Sequence, residues 1–210
     1  MYKVSIKNII YNKVNRFLIH LRNYISFVSF VLLKIFIKRR NINTENKTIL
    51  FFNNGQIGDL LVSSVILENE ENLSKNYNYV LLIKEEYIGL FERYEGIFKI
   101  KTYNLSKYKF NIKYKVKLIK ELNDLGIFEF YNLCAARGIM TEELSYFINT
   151  EKKVALNIDS FYLDKFLLKY FNKIYSKLLF ERKKNEYEKI IGLINILHIN
   201  DTKFIASLNE

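Results

Sequence analysis

The stretch TILFFNNGQIGDLLVSSVIL, residues 48–67, decides the fold. It begins with a short apolar run, which predicts a buried strand over Thr48–Asn54. Two glycines, Gly55 and Gly58, interrupt the run and allow another molecule to approach the backbone closely. Apolar residues at helical spacing then predict a helix over Asp59–Asn72. A buried strand, a glycine turn and an apolar helix in this order are typical of a βαβ unit.

The alternation of strand and helix continues along the chain. Further strands are predicted over Tyr77–Lys84, Ile97–Tyr103, Ile127–Cys134 and Lys153–Ile158, with another near Lys203–Leu208. Further helices are predicted over Glu85–Tyr94, Tyr114–Leu125 (ended by Gly126 as a C′ glycine), Ile139–Asn149, part of Phe161–Phe180 and Arg182–His198. This order predicts an α/β fold with a Rossmann-like open parallel sheet covered on both faces. Function in such a sheet lies beyond the carboxyl ends of the strands.

The charge is concentrated at the N-terminus. Residues 1–47 contain ten basic side chains and one acidic side chain, whereas residues 48–210 contain 23 basic and 21 acidic ones. The chain is therefore predicted to consist of a basic N-terminal arm, residues 1–47, and a nearly neutral Rossmann-like domain, residues 48–210. A nucleic-acid-binding domain would carry its positive charge on the folded body, so we expect no nucleic-acid partner.

The arm also contains an apolar stretch, which leaves three alternatives open. Residues 24–33 carry no charge, and Lys38-Arg39-Arg40 follow shortly afterwards. The stretch is interpreted first as an amphipathic helix lying in the membrane interface. A true transmembrane span needs roughly 20 apolar residues, which is reached only if several charged side chains are included. The third alternative is a helix that packs on a partner or on the domain itself. The basic flanks favour the anionic cytoplasmic leaflet, as a peripheral protein at the cytoplasmic face of the inner membrane.

Composition excludes several other classes of site. The single cysteine, Cys134, excludes a disulfide framework and a cysteine-built metal site. The two histidines, His20 and His198, do not have the spacing of a metal site, and we expect no metal. Cys134 is interpreted as a buried small apolar residue, and Arg137 as a solvated loop residue.

The glycine turn carries the strongest functional signal. It lacks the lysine of a P-loop and has the spacing GxxGD in place of GxGxxG. Asp59 could be the N-cap of the following helix, accepting hydrogen bonds from its first turn. A carboxylate at the tip of the first strand is also well placed to take a proton from a hydroxyl group. Ser63 and Ser64, one turn later, are typical of a helix surface or of packing.

These residues resemble a known family. A strand followed by GxxGDLLxSS and an apolar helix resembles the opening of the family 9 glycosyltransferases, the lipopolysaccharide heptosyltransferase family, whose usual form is close to GDLLLTTP. Ile127–Phe147 resembles the fourth strand and following helix of that family, and Lys153–Asn157 resembles the next strand. Asn185–Ile199 resembles a later helix, "HEVERNLALLRALGI", in order and spacing.

The resemblance implies the N-terminal half of a GT-B fold and an inverting sugar transfer. In the family a nucleotide-sugar donor such as ADP-heptose supplies the sugar, the acceptor is a glycolipid or oligosaccharide of the lipopolysaccharide core, and no metal takes part. The match makes Asp59 the general base. It makes Gly55, Gln56 and Gly58 the acceptor-side loop, and Ser63 and Ser64 part of the cleft. An acceptor rooted in a membrane would explain the arm, which would contact an anionic membrane surface.

The chain also departs from the family pattern. Asn53 and Asn54 replace a basic residue, Val65 replaces a proline and Asn185 replaces a histidine. In the family a donor-binding second domain follows at the position of Glu210. We therefore expect this chain to be inactive without a C-terminal half, present elsewhere or supplied separately. The alternative is a non-catalytic module that binds a glycolipid or a partner at the membrane surface.

Overall fold

The architecture is described from a computed structural model of the chain. It describes residues 6–37, 47–68, 73, 75–94, 98–134, 136–150, 152–156, 163–179, 188 and 192. The described strands are β1 (Thr48–Phe52), β2 (Asn78–Lys84), β3 (Phe98–Tyr103), β4 (Ile127–Asn132), β5 (Lys152–Leu156) and β6 (Lys177–Leu179). The described helices are α1 (Ile6–Phe36), α2 (Ile57–Glu68), α3 (Leu105–Phe110), α4 (Ile112–Asn123), α5 (Ile139–Phe147) and α6 (Lys165–Asn172).

The six strands form one parallel sheet in the order β3-β2-β1-β4-β5-β6. The order runs outward from β1 in one direction and from β4 in the other, so the chain crosses from one half of the sheet to the other between β3 and β4, and the switch point lies between β1 and β4. In a doubly wound sheet, the loops at this switch point diverge and leave a crevice beyond the carboxyl ends of the strands. The predicted α/β, Rossmann-like fold is confirmed.

The central strand is apolar throughout because both of its faces are covered. All five residues of β1 are buried. Leu50 and Phe52 point into one core layer, which they share with residues of α1, α4, α5 and α6. Ile49 and Phe51 point into the other layer, which includes Leu60 of α2. A parallel sheet sandwiched between two helical layers is expected to show such continuous apolar strands.

Most predicted elements are found within about two residues of their predicted ends. Glu85–Tyr94 differs, because it forms two short 3₁₀ helices, Glu85–Leu90 and Glu92–Tyr94, in place of one α-helix. The short helix α3 was not predicted, and the aromatic stretch Phe161–Phe180 contains both α6 and β6. The predicted helix over 182–198, apart from residues 188 and 192, and the strand near 203–208 lie outside the described residues.

Gly126 marks the turn into β4. It has a φ of 64°, in the left-handed region that favours glycine. The helix before it ends at Asn123 with Asp124 as its C-cap, so Leu125 is the C′ residue and Gly126 follows it. The prediction of Gly126 as the C′ residue is therefore wrong by one position, because the helix stops two residues before its predicted end at Leu125.

The long helix α1 packs against the domain along one side. Phe30 is fully buried, and its ring centroid lies 5.0 Å from that of Tyr146 in α5. Lys34 donates a hydrogen bond to the Tyr170 hydroxyl in α6 at 2.6 Å, and Tyr24 donates one to Asp164 at 2.5 Å. Between residues 18 and 36, the other side of α1 is exposed. Among the described residues, one segment, 18–36 of this helix, is long and apolar enough to cross a membrane.

Candidate functional site

The candidate site lies where β1 ends, at the switch point of the sheet. The backbone of Asn53 still follows the strand, because its N–H donates to the Leu82 carbonyl of β2 at 3.1 Å. On the other side, the Leu133 N–H donates to the Phe52 carbonyl at 2.9 Å, so β1 and β4 stay together to their ends. The chain then turns into α2 at the edge of the sheet where a doubly wound fold has its ligand-binding crevice.

The side chain of Asn53 holds the turn in place through hydrogen bonds. Its side chain is buried, and its Oδ1 accepts a hydrogen bond from the Gly55 N–H at 2.7 Å. This local bond is an Asx turn, which mimics a backbone turn without needing a positive φ. The Asn53 amide Nδ2 also donates to the Asp59 carbonyl at 3.3 Å. One buried side chain therefore fixes both the start of the turn and the first turn of α2.

Asp59 lies in the first turn of α2, and the N-cap alternative for this residue is wrong. The N-cap is Gln56, whose carbonyl accepts the Leu60 N–H at 3.1 Å. Asp59 is the third helical residue, and its Oδ2 accepts the backbone N–H of Gln56 at 3.1 Å. This backward hydrogen bond is one half of a capping box. It directs the carboxylate back over the glycine turn, and the side chain is half-buried.

Gly55 makes this position of the carboxylate possible. A Cβ atom on Gly55 would lie 2.4 Å from the Cβ and 2.5 Å from Oδ2 of Asp59. Both distances are shorter than any tolerable contact, so a side chain at Gly55 would displace the carboxylate. Gly58 differs, since nothing lies within 4 Å of the position that its Cβ would occupy. Neither glycine has a positive φ, so neither position requires the backbone freedom of glycine. Gly55 is required because the Asp59 side chain lies too close for a Cβ atom at that position.

The other predicted site residues are spread along the same turn and helix. Gln56 and Gly58 are exposed beside Asp59, at the N-terminal end of α2. Ser64 is part-buried and its hydroxyl donates to the Leu61 carbonyl at 2.8 Å, as a serine on a helix surface often does. Ser63 belongs to α2 as well. The structure therefore brings Gly55, Gln56, Gly58 and Asp59 together, with the serines further along the helix.

Two further residues support the turn from neighbouring strands. Asn54 accepts a hydrogen bond from the Tyr103 hydroxyl at the end of β3, and its N–H donates to the Cys134 Sγ at 3.2 Å. Burial raises the pKa of the Tyr103 hydroxyl, which keeps it protonated as a donor. Burial also raises the pKa of the Cys134 thiol, to about 12. Cys134 is therefore the inert, buried residue that was predicted.

The loop after β4 carries a buried ion pair, so the interpretation of Arg137 as a solvated loop residue is wrong. Arg137 is 1% exposed, and its Nε and Nη2 donate to the two carboxylate oxygens of Glu142 at 2.7 and 3.1 Å. Burial would lower the pKa of Arg137, but the Glu142 carboxylate raises it above its ordinary value. Tyr175 donates to Glu142 Oε2 at 3.1 Å, and its ring lies 4.8 Å from the guanidinium.

Sequence reasoning missed this supporting network for identifiable reasons. Asn53 and Asn54 had a local signal, because two asparagines before a glycine are typical of a turn. The burial of Arg137 had none, because Tyr175, which packs on the Arg137–Glu142 ion pair, is distant in sequence. Within the part of the chain that the structure describes, no three His, Cys, Asp or Glu side chains cluster as a metal site would require.

Sequence comparisons give no relatives. No family model matches the chain, and no curated protein does.

The fold, with its switch point between β1 and β4, does match solved structures. The glycosyl transferase family 9 protein of Veillonella parvula DSM 2008 matches over 79% of this chain, with a TM-score of 0.57 and 17% sequence identity. The E. coli heptosyltransferase WaaC matches over 71% of this chain, with 9% sequence identity. The TM-score is 0.53 for the WaaC structure with ADP and 0.51 for the WaaC structure with ADP-2-deoxy-2-fluoro heptose.

These matches confirm the fold expected from the resemblance. The six-stranded parallel sheet with its flanking helices is the Rossmann-like arrangement found in the glycosyltransferase family 9 structures. The chain covers 45% of the V. parvula protein and 47% of WaaC, so it spans about half the length of the structures it matches.

Proposed function

We propose that this chain is the acceptor-side half of a glycosyltransferase. It would hold a glycolipid or oligosaccharide acceptor of the cell envelope in the crevice beyond β1, while a donor-side half binds a nucleotide-sugar such as ADP-heptose. The half-buried Asp59 carboxylate, held over the glycine turn at the switch point, is the observation that carries the proposal. Its support is the fold shared with the family 9 structures.

In the proposed reaction Asp59 acts as the general base. An acceptor hydroxyl loses its proton to the Asp59 carboxylate while its oxygen attacks the anomeric carbon of the donor sugar. The bond between that carbon and the nucleotide diphosphate breaks on the opposite side, so the configuration at the carbon inverts. Such positioned proton transfer accelerates a reaction by about 10²–10⁴-fold. The acceptor-side loop of Gly55, Gln56 and Gly58 would then contact the acceptor sugar, with Ser63 and Ser64 lining the cleft.

The turn is built for this role in one physical respect. The carboxylate is fixed before a substrate arrives, because Gln56, Gly55 and Asn53 all constrain the loop that carries it. A pre-positioned group needs no reorganisation at the moment of reaction. The side chain is also not sealed in, since its neighbours Gln56 and Gly58 are exposed.

The proposed location is the cytoplasmic face of the inner membrane, with residues 1–47 contacting an anionic lipid surface. Support comes from the basic sequence of this segment and from the exposed apolar side of α1. The contacts of Phe30 and Lys34 with the domain support a helix that lies on the membrane, because a spanning helix could not keep them. The donor-side half, within a longer chain or as a separate one, is the remaining proposed partner.

The test measures acceptor binding and transfer separately. The full chain is titrated with a delipidated lipopolysaccharide core oligosaccharide, which has no acyl chains to contact the apolar side of α1, and backbone amide NMR shifts are recorded. We expect the shifts to concentrate on Gly55, Gln56 and Asp59. Transfer from ADP-heptose is then assayed with the donor-side half present. Asp59→Asn should keep acceptor affinity within a few-fold and lower turnover by about 10²–10⁴-fold.

Glu86→Gln is the matched control, because it removes an exposed carboxylate at the same edge of the sheet. It should change neither property. Shifts that avoid the β1–α2 turn would contradict the acceptor site. Full turnover by the Asp59→Asn variant would show that the carboxylate only caps the helix. Acceptor binding without transfer from any nucleotide-sugar, with the donor-side half present, would favour the non-catalytic module.

A further inference from the structure

The helix α1 has two apolar sides, and the domain uses only one. The exposed side carries apolar residues spaced three, four and seven positions apart, which places them in one stripe along the helix. These are Leu18, Leu21, Ile25, Val28, Leu32 and Ile35, each at least 47% exposed. The stripe continues into Phe36, which is 67% exposed at the end of the helix. Exposed apolar surface of this extent marks an interaction site.

A groove opens where the stripe ends. It has a volume of about 710 Å³ and lies between Phe36 and the outer side of α4. Its apolar lining comes from Phe36, Ile112 and Val116. The opposite side of α4 supplies Leu118, Ile119 and Leu122 to the core, whereas Ile112 on the groove side is 55% exposed.

Three lysines surround this apolar lining. Lys113, Lys117 and Lys120 all line the groove and all are exposed. Lys117 lies 3.7 Å from Glu121, whereas neither Lys113 nor Lys120 forms an ion pair with any described residue. The groove therefore combines an apolar floor with a net positive rim.

We propose that this groove binds one anionic phospholipid of the bilayer on which α1 lies. The acyl chain would contact Phe36, Ile112 and Val116, and the lysines would bind the headgroup phosphate. The charge favours this occupant, since an anionic headgroup complements the lysine rim. A second copy of the chain would present the same lysines, and α1 itself contains five basic residues and no acidic one, so self-association would bring like charges together.

The inference rests on the membrane contact in the proposed function and not on sugar transfer. It extends the membrane-facing surface from the arm onto the body of the domain. Two attachment points, the stripe along α1 and the lipid in the groove, would fix the orientation of the sheet relative to the bilayer.

The test uses co-sedimentation of the full chain with lipid vesicles. One set contains phosphatidylcholine alone and the other includes about 30 mol % phosphatidylglycerol, which gives an anionic surface. The variant Lys113→Gln/Lys117→Gln/Lys120→Gln removes the lysine rim without touching the core. Each lysine near an anionic surface contributes about fivefold to binding, so we expect this variant to lose about 100-fold in partition onto the anionic vesicles.

A matched variant, Lys75→Gln/Lys99→Gln/Lys101→Gln, removes the same charge from a region outside the groove. It should lose no more than a few-fold. Equal losses in the two variants would overturn the groove site and show that only total charge matters. If the unchanged chain fails to bind anionic vesicles at all, the membrane part of the proposed function fails with it. Vesicle binding that the groove variant leaves intact would overturn the groove alone.

A second measurement reports on the acyl chain. A nitroxide attached at Ile112→Cys lies on the apolar floor, and the native Cys134 is buried and will not compete for the label. With anionic vesicles, molecular oxygen should increase the relaxation rate of this nitroxide as much as that of a label placed in the acyl-chain region. A label at Lys99→Cys should remain accessible to water-soluble relaxation reagents. A water-exposed label at position 112 on bound vesicles would contradict the proposal.

Discussion

Two turns leave the sheet side by side at its switch point, the β1–α2 turn and the β4–α5 turn, and they begin in the same way. Asn53 Oδ1 accepts the N–H of Gly55 at 2.7 Å, and Asn132 Oδ1 accepts the N–H of Cys134 at 3.0 Å. Each asparagine thus closes an Asx turn at the end of a central strand. The local chemistry that stops the two strands is the same.

The two turns differ in the hydrogen-bond partners of the asparagine amide and in the burial of the nearby carboxylate. In the β4–α5 turn, the Asn132 amide donates to Tyr175 at 2.8 Å, and Tyr175 joins a sealed network with Arg137 and Glu142. In the β1–α2 turn, the Asn53 amide donates to the backbone carbonyl of Asp59, and the Asp59 carboxylate, which accepts the Gln56 N–H, lies half-buried beside exposed residues. The covered Glu142 carboxylate supports the fold, whereas the partly exposed Asp59 carboxylate is placed to meet a ligand.

The largest expected effect comes from opening the sealed turn. Arg137→Ala would leave the fully buried Glu142 carboxylate without its cationic partner, so we expect the free energy of unfolding to fall by about 3–5 kcal/mol. Urea denaturation followed by circular dichroism measures this change. A loss below about 1 kcal/mol would show that the network is not the buttress of this turn.

A double variant separates the charge from the packing. Arg137→Met combined with Glu142→Met replaces the pair by apolar side chains and leaves no charge unpaired. Replacing a buried ion pair in this way is often neutral. The double variant should therefore be more stable than Arg137→Ala, and the opposite order would contradict the buried-charge argument.

The next effect concerns the two glycines of the β1–α2 turn. Gly55→Ala places a Cβ 2.4 Å from the Cβ of Asp59 and forces the turn to move, which should cost about 1–3 kcal/mol of stability. Gly58→Ala meets nothing within 4 Å and removes a helical glycine, so it should stabilise by about 0.5–1 kcal/mol. Thermal melts of the two variants test the pair. Shifts of the same sign would show that the carboxylate does not depend on Gly55.

The fold was predictable because its signals are local. The apolar runs that became β1, β2 and β4 are buried on both faces, and a buried parallel strand needs such a run. The side of α1 that packs on the domain was not predictable, because it depends on tertiary contacts. The side of α1 that contacts the domain has the same apolar character as its exposed side, so sequence alone could not show which side packs.

The candidate site was predictable only in part. Asp59 and Gly55 stood out because glycines and an acid follow a buried strand, but their mutual contact is tertiary detail within the turn. Tyr103, which supports Asn54 from β3, lies 49 residues away in sequence. Charge and residue type near Arg137 gave no sign of burial, since burial there depends on Tyr175 from beyond β5.

The smallest expected effect at neutral pH lies where the two turns touch, at Cys134, and it grows only as the pH rises above 9. Its thiol accepts the Asn54 N–H, and burial raises its pKa from about 9 to about 12. A raised folded-state pKa means that the stabilisation is complete below about pH 9 and is lost as the pH rises toward 12. Stability should therefore fall by up to about 1.4 kcal/mol per pH unit above pH 9.

Cys134→Ala isolates this contribution, because other groups also titrate in the same range. Denaturation midpoints of the two proteins between pH 8 and pH 10.5 should diverge, with the alanine variant losing less on going to high pH. Parallel curves would mean that the Cys134 thiol is reachable by water in the folded state. The two turns would then be less tightly joined than the Asn54 contact indicates, and the sealed turn would resemble the open one.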